Sequence, residues 1–263
     1  MKTIPEFLRR KAAGAPITMA TCYDAATAKI LNDTSVDALL VGDSCAMVVH
    51  GFDSTIHATV EMMAGHTAAV RRGSTDKVII ADLPFLSYRG SEDASIQAVL
   101  TLVRAGANGL KVERCKGNTE LITRLVETGV PVMGHLGMTP QSVNEFGGFK
   151  MQAKDGRAAQ TLLEEALELE EVGCFSIVLE CIPASVAERV TDALEIPTIG
   201  IGSGPSTSGQ VLVINDILGL DSKFQPPFAR RYMDGDQMIA RAVEGYCEDV
   251  REGEYPREGE FRP

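Results

Sequence analysis

The stretch Val78-Ile79-Ile80-Ala81-Asp82 decides the reading of the fold. Four aliphatic residues run on without polar alternation and stop at an acid. A strand with one wet face alternates apolar and polar residues. An unbroken apolar run marks a strand buried on both faces, the habit of a parallel sheet. The pattern recurs on either side, in Leu39-Leu40-Val41-Gly42-Asp43, Leu110-Lys111-Val112-Glu113 and Ile177-Val178-Leu179-Glu180. The full set of short apolar runs is 17–23, 38–41, 78–81, 109–112, 131–134, 174–179, 197–201 and 210–214, which gives eight candidate strands.

The segments between them carry the helical period. Ile96, Val99, Leu100 and Val103 share one face, as do Leu162, Ala166 and Leu169, and Val186, Val190 and Leu194. Each such face can pack on a sheet. Gly73, Gly106, Gly129 and Gly173 follow helical segments and suit left-handed caps. Eight strands with a βα repeat of about thirty residues predict a single (β/α)8 TIM barrel over residues 1–263. A doubly wound open sheet is the alternative, but no Gly-x-Gly-x-x-Gly follows the first strand. Outside the repeat, 1–14 predicts a short N-terminal helix that could plug the barrel bottom. Residues 234–253 predict a long C-terminal helix with Met238, Ile239, Ala242, Val243 and Tyr246 on one stripe.

Composition narrows the function. Apolar residues make up 44% and charged residues 23%, an ordinary globular balance that excludes disorder and coiled coil. Lys and Arg number 25 against 36 Asp and Glu, a formal charge of −11. Without a basic patch the chain is a poor fit for nucleic acid or an anionic membrane surface. No apolar run is long enough to span a bilayer, and the N-terminus leads into a charged segment, so a cytoplasmic location is expected. The six cysteines show no metal-ligand spacing and read as reduced, packed thiols.

In a parallel barrel every strand C-terminus emerges at one rim, where barrel enzymes keep their catalytic groups. Asp43, Asp82, Glu113 and Glu180 are therefore predicted to converge. An acid after a strand is often only the cap of the next helix, but four at one rim repel unless a cation, protonation or water intervenes. Mg2+ or Mn2+ with oxygen ligands is the natural partner. Lys111, two residues before Glu113, can share its strand face and pair with carboxylates or an anionic substrate. His135, ending the fifth run, could bind a substrate carboxylate or be a buried structural imidazole. His50, His57 and His66 lack metal spacing. The segment Gly200-Ile201-Gly202-Ser203-Gly204-Pro205 could cradle an anion or simply clear space for a neighbouring loop.

Longer ordered matches carry a resemblance. They include Val41-Gly42-Asp43-Ser44, Gly51-Phe52-Asp53-Ser54-Thr55, Val70-Arg71-Arg72-Gly73 and Ala81-Asp82-Leu83-Pro84-Phe85. Further on come Pro131–Gly137 with Thr139-Pro140-Gln141-Ser142, Gly147-Gly148-Phe149-Lys150 and Ile196–Gly202. From about Ile17 to Tyr232 the chain resembles the ketopantoate (3-methyl-2-oxobutanoate) hydroxymethyltransferase family. The resemblance implies a Mg2+-dependent barrel enzyme of pantothenate synthesis. It would move a one-carbon unit from 5,10-methylenetetrahydrofolate onto 3-methyl-2-oxobutanoate, giving 2-dehydropantoate and tetrahydrofolate through a Mg2+-chelated enolate. It also implies Asp43 and Asp82 as metal ligands and Glu113 as a metal-associated carboxylate. Asp43, Ser44, Asp82 and Lys111 would contact the 2-oxoacid, and Glu180 would be the general base. A homo-oligomer, a decamer, is implied as well. Another Mg2+-dependent 2-oxoacid enolate enzyme, a C–C lyase or phosphonomutase, is the competing expectation, and a barrel that only binds metal or an anion is a third. The chain departs from the family pattern at Thr34-Ser35, Cys45-Ala46, Arg114-Cys115 and Asn215.

Overall fold

A computed structural model describes residues 1–262. Eight parallel strands close into a barrel in sequence order: β1 (Ile17–Thr21), β2 (Ala38–Val41), β3 (Val78–Asp82), β4 (Gly109–Glu113), β5 (Val132–Gly137), β6 (Ser176–Glu180), β7 (Thr198–Ile201) and β8 (Gly209–Leu212). β8 pairs back onto β1, with Ile17 opposite Gly209, so no open sheet edge remains. The doubly wound alternative is thereby excluded. The chain forms two compact units, Met1–Val213, which holds the whole barrel, and a second from Ile214 onward.

Every residue of β2, β3 and β4 is buried, which is why β2 and β3 run without polar alternation, while in β4 the polar Lys111 and Glu113 are buried as well. The outer faces are covered by helices such as Val60–Gly73, Glu92–Ala105 and Gly156–Glu171, which turn Met63, Val70, Val99, Leu102, Leu162 and Leu169 inward. Their starts are defined by side-chain caps. Thr59 accepts from the Met62 amide, Ser91 from Ala94 and Asp155 from Ala158. Gly106, Gly129 and Gly173 adopt the left-handed φ expected of helix ends. Gly73 does not. The helix runs through it, and a Cβ there would lie 2.4 Å from the Ala25 carbonyl oxygen. Close helix packing, not a left-handed cap, requires this glycine.

Inside the barrel, alternate residues of the strands meet at the axis. Ile17, Met19, Ala38, Leu40, Val78, Ile80, Met133, Val178, Ile199 and Val211 form one apolar cluster. The N-terminal helix Pro5–Ala12 completes it as the sequence predicts. Phe7 is fully buried there and meets Phe175 edge to face, with ring centroids 5.1 Å apart. Met1 and Ile4 pack against the same cluster. The barrel bottom is therefore closed by side chains. In the second unit, the helix Gly235–Glu252 ends at Gly253, whose φ is +76°.

Candidate active site

Strand alternation carries the inner face upward from this plug. Asp82 stands two residues beyond Ile80, His135 two beyond Met133, and Glu180 two beyond Val178. Strand register then aligns them: Asp82 pairs with Lys111 and Glu113 with His135. The residues after the plug are therefore brought to one rim, as the strand-end acids predict. Lys111 lies inside the barrel, 3.2 Å from Asp82 Oδ1 and 3.2 Å from His135 Nδ1. His135 Nδ1 is 3.4 Å from Glu113 Oε1, and its Nε2 is 3.1 Å from Glu180 Oε2. Asp82 Oδ2 accepts from the Asp43 backbone N–H at 3.0 Å. The hydroxyl of Ser44, next to Asp43 in the chain, lies 2.8 Å from the Tyr23 phenol.

Asp43, Asp82, Lys111, Glu113 and His135 are all buried. Glu180 is more open, with 15% of its side chain exposed, which leaves it able to meet a ligand entering from the rim. Gly137 makes room beside it. At φ +93°, a Cβ on Gly137 would come within 2.2 Å of the Glu180 carbonyl oxygen.

The protonation pattern follows from burial and charge. Burial raises the Asp43 carboxyl well above its usual range, and the neighbouring Asp82 and Glu113 add to the rise. Glu113 is pushed up to about 7, chiefly by burial, with Lys111 opposing and Asp82 reinforcing. Burial alone would lower the Lys111 ammonium, but Asp82, Glu113 and Asp43 outweigh it and hold the group above its ordinary value. Burial, helped by Lys111, lowers His135 and keeps the ring neutral. An ammonium can only donate, so Nδ1 facing Lys111 accepts and the ring proton sits on Nε2, toward Glu180.

Four carboxylates thus gather about one ammonium, and the neighbouring carboxylates add to what burial does in raising Asp43 and Glu113. Two carboxylate oxygens, Asp82 Oδ1 and Glu113 Oε1, are buried and accept no well-aligned hydrogen bond. Asp82 Oδ1 has Lys111 within ion-pair distance but off the hydrogen-bonding line. Buried acceptors without donors, in a negatively charged cradle, are what a hard cation would satisfy. Among the described residues no group of three or more His, Cys, Asp or Glu side chains is arranged to hold a metal alone. A cation there would therefore need oxygens from water or substrate besides the carboxylates, the habit of Mg2+ rather than Zn2+.

The other candidates separate from this cluster. Ser203 is buried and donates to the Leu179 carbonyl, and a Cβ on Gly204 would meet Ala184 Cβ at 2.4 Å, so this glycine clears space for packing. His50 and His66 face each other through Nε2 at 2.9 Å, and His57 pairs with Asp53. A cavity of about 400 Å³ lies beside the site, with Arg114, Thr139, Arg157 and Glu165 among its lining residues and none of the four rim carboxylates. Arg114 and Cys181, which directly follow Glu113 and Glu180, both have left-handed φ, at +68° and +46°. Glycine adopts this conformation without strain, so Arg114 and Cys181 store backbone strain beside the carboxylates. Sequence reasoning missed two residues that touch the cluster. Gln141 reaches Asp43 and Glu113, and Tyr88 reaches Gln141. Thr139-Pro140-Gln141 was visible as a motif, but nothing in it tells that the amide turns inward.

A family model described as ketopantoate hydroxymethyltransferase matches residues 1–258. A protein of Francisella tularensis subsp. novicida named 3-methyl-2-oxobutanoate hydroxymethyltransferase is 49% identical over 256 residues, covering 97% of each chain. One of the same name from Bdellovibrio bacteriovorus is 49% identical over 260 residues and 99% of each chain. Solved structures share the fold at low identity. A putative phosphonomutase from Burkholderia cenocepacia superposes with a TM-score of 0.63 at 16% identity, over 95% of this chain and 100% of that one. A phosphonopyruvate hydrolase complexed with oxalate and Mg2+ gives 0.63 at 10% identity, over 99% and 93%. With the matched family model, the near-full-length relatives and the barrel in agreement, the chain belongs to the ketopantoate hydroxymethyltransferase family and is an enzyme, a hydroxymethyltransferase.

Proposed function

We propose that the chain transfers a hydroxymethyl group from 5,10-methylenetetrahydrofolate to 3-methyl-2-oxobutanoate, giving 2-dehydropantoate and tetrahydrofolate in pantothenate synthesis, with Mg2+ at the rim. The observation that carries this reading is the buried cluster in which carboxylates outnumber the single ammonium, with Asp82 Oδ1 and Glu113 Oε1 accepting no well-aligned hydrogen bond. Asp43 and Asp82 would hold the cation, and Glu113 would associate with it through water. When bound, the ion supplies Lewis acidity toward the keto and carboxylate oxygens of a 2-oxoacid. A protein of the same fold was solved with oxalate, a small dicarboxylate, and Mg2+.

The chain's own residues do the rest. The Lys111 ammonium, held charged by its carboxylate neighbours, attracts the substrate carboxylate. Ser44 and His135 flank the same space. Glu180, the most open of the rim acids, takes the proton as the C3–H bond breaks. The electron pair left on C3 forms the new C–C bond to the one-carbon unit. Water supplies the hydroxyl oxygen to the methylene carbon, both C–N bonds that tie this carbon to the folate break, and the two nitrogens take up one proton from the water and one equivalent to that lost from C3. Holding the ring proton of His135 on Nε2, 3.1 Å from Glu180 Oε2, orients that carboxylate for its step.

The chain is further proposed to act as a cytoplasmic homo-oligomer, a decamer. Met238, Ile239, Val243 and Tyr246 are exposed along the helix Gly235–Glu252, and such a stripe is suited to self-association. Among the described residues no helix is long and apolar enough to cross a membrane.

The test is a coupled assay with methylenetetrahydrofolate and 3-methyl-2-oxobutanoate, with and without Mg2+. Tetrahydrofolate release that needs both the oxoacid and the metal supports the reading. Turnover of a 2-oxoacid without folate would instead make the chain a lyase or mutase of this fold.

A further inference from the structure

Gln141 is buried in the turn after β5, where Pro140–Ser142 forms a single 3-10 turn, and it touches four residues from three other segments of the barrel rim. Its side-chain Nε2 donates to Asp43 Oδ2 at 2.8 Å, beyond β2, and to the Leu83 carbonyl at 3.0 Å, beyond β3. Its Oε1 accepts from the Tyr88 phenol at 2.8 Å, and its backbone N–H donates to Glu113 Oε2 at 3.0 Å. The orientation of the amide is dictated by its partners. A carboxylate and a carbonyl only accept, so both must face the NH2, and the phenol must then donate to the oxygen. Burial and the Glu113 carboxylate push the Tyr88 phenol upward, so it remains a donor. Both N–H groups of the amide are used.

We infer that Gln141, locked by Tyr88, is a positioning residue that fixes the Asp43 carboxylate for the cation while its backbone fixes Glu113. The metal part of this role rests on the reading given under Proposed function. No other side chain could serve equally. A carboxylate at position 141 would set oxygens against Asp43 Oδ2 and the Leu83 carbonyl, and an apolar side chain would leave both acceptors buried and unmet. With Oδ2 engaged by the amide, Asp43 is held in one rotamer rather than free to turn toward Lys111. Partners of this kind around metal-binding carboxylates set affinity as strongly as many ligands do.

The test uses Mn2+ binding to the full chain, read by paramagnetic resonance without substrate, with thermal melting in parallel. Gln141→Met should bind Mn2+ about 10- to 100-fold more weakly, and Gln141→Glu more weakly still. Tyr88→Phe removes one donor, keeps the fold, and should weaken binding by less than Gln141→Met. In turnover, the Mg2+ concentration needed should rise, while kcat at saturating Mg2+ recovers in Gln141→Met. Variants that melt earlier but bind Mn2+ like the parent would reduce Gln141 to a structural amide. A crystal structure of Gln141→Met with the Asp43 carboxylate unmoved would overturn the inference whether or not the parent binds metal or transfers the one-carbon unit. A parent that binds Mn2+ yet fails the coupled assay would count against the proposed reaction alone.

Discussion

Along β5, Met133 and His135 stand two residues apart on the same inner face. Met133 is part of the apolar plug, and His135 touches an ammonium and two carboxylates. The same step separates Ile80 from Asp82 and Val178 from Glu180. One end of each strand supports the barrel and the other end carries chemistry, and a single alternation sets both. The plug needs only volume and apolarity, so it is tolerant of exchange among hydrophobic residues. The rim gathers four carboxylates, one ammonium and one imidazole away from water, an arrangement that costs stability and persists only if it is functional. The two ends should therefore answer mutation in opposite ways, the rim in activity and the plug in stability.

The largest separation is expected at Glu180. Glu180→Gln should keep the fold and oxoacid binding, since Lys111 and the other carboxylates are untouched. Exchange of the C3 hydrogen of 3-methyl-2-oxobutanoate in deuterated water should slow by about 10²- to 10⁴-fold, the usual contribution of a general base. Parent-like exchange would move the base elsewhere, with His135 next in line. Asp82→Asn keeps shape but removes a charge that both Lys111 and a cation would need. Turnover should fall and the divalent-ion requirement should rise at least about tenfold, as for altered metal-site partners. Equal Mg2+ binding and turnover in that variant would remove Asp82 from the site.

The plug should respond the other way. Phe7→Ala deletes a fully buried ring that meets Phe175 at the barrel bottom. Loss of about 3–5 kcal/mol in chemical denaturation is expected, with kcat per folded molecule close to the parent's. A large fall in kcat without lost stability would show that the two ends are not separable.

The barrel was legible because both its signals are local. Unbroken apolar runs ending in acids mark strands, and the helical period fills the gaps between them. That also located the rim, because in a parallel barrel strand C-termini converge without any long-range information. The plug was legible only as a helix at the bottom, and its anchor Phe7 was not singled out. What the sequence concealed lies in turns, where a side chain's direction is set by tertiary contacts. Gln141 follows a proline in an irregular turn, and no periodicity tells whether its amide points to Asp43 or to water. Arg114 likewise reads only as a departure from the family pattern, and its left-handed φ becomes visible only in three dimensions. Lys111 was ambiguous for a related reason. Alternation gave two faces, and the register of Asp82 with Lys111 decided between them.

The smallest expected effect sharpens the contrast from the rim side alone. Burial, with Asp82, raises the Glu113 carboxyl to about 7 from an ordinary value of 4.5, against the pull of Lys111. A raised folded value means that the folded chain binds this proton more tightly than the unfolded chain does. The associated stability is fully present below about 4.5 and is lost as pH rises through about 7. Asp43, raised by burial and by Asp82 and Glu113, acts in the same direction. Metal-free protein should therefore melt at progressively lower temperature from pH 5 to pH 7.5. Mg2+ binds the ionised carboxylates, so the rise in melting temperature that it produces should grow over the same window. The difference should be of the order of a few degrees, since about 1 kcal/mol shifts a chain of this size by ~2–4 °C. Calorimetry at pH 5, 6, 7 and 8 with and without Mg2+ reads it directly, and Glu113→Gln should flatten the metal-free slope. Phe7→Ala should lower every melting point and leave the slope unchanged, because it removes no titratable group. Parallel curves with and without Mg2+ would mean that the rim carboxylates are not where the ion binds.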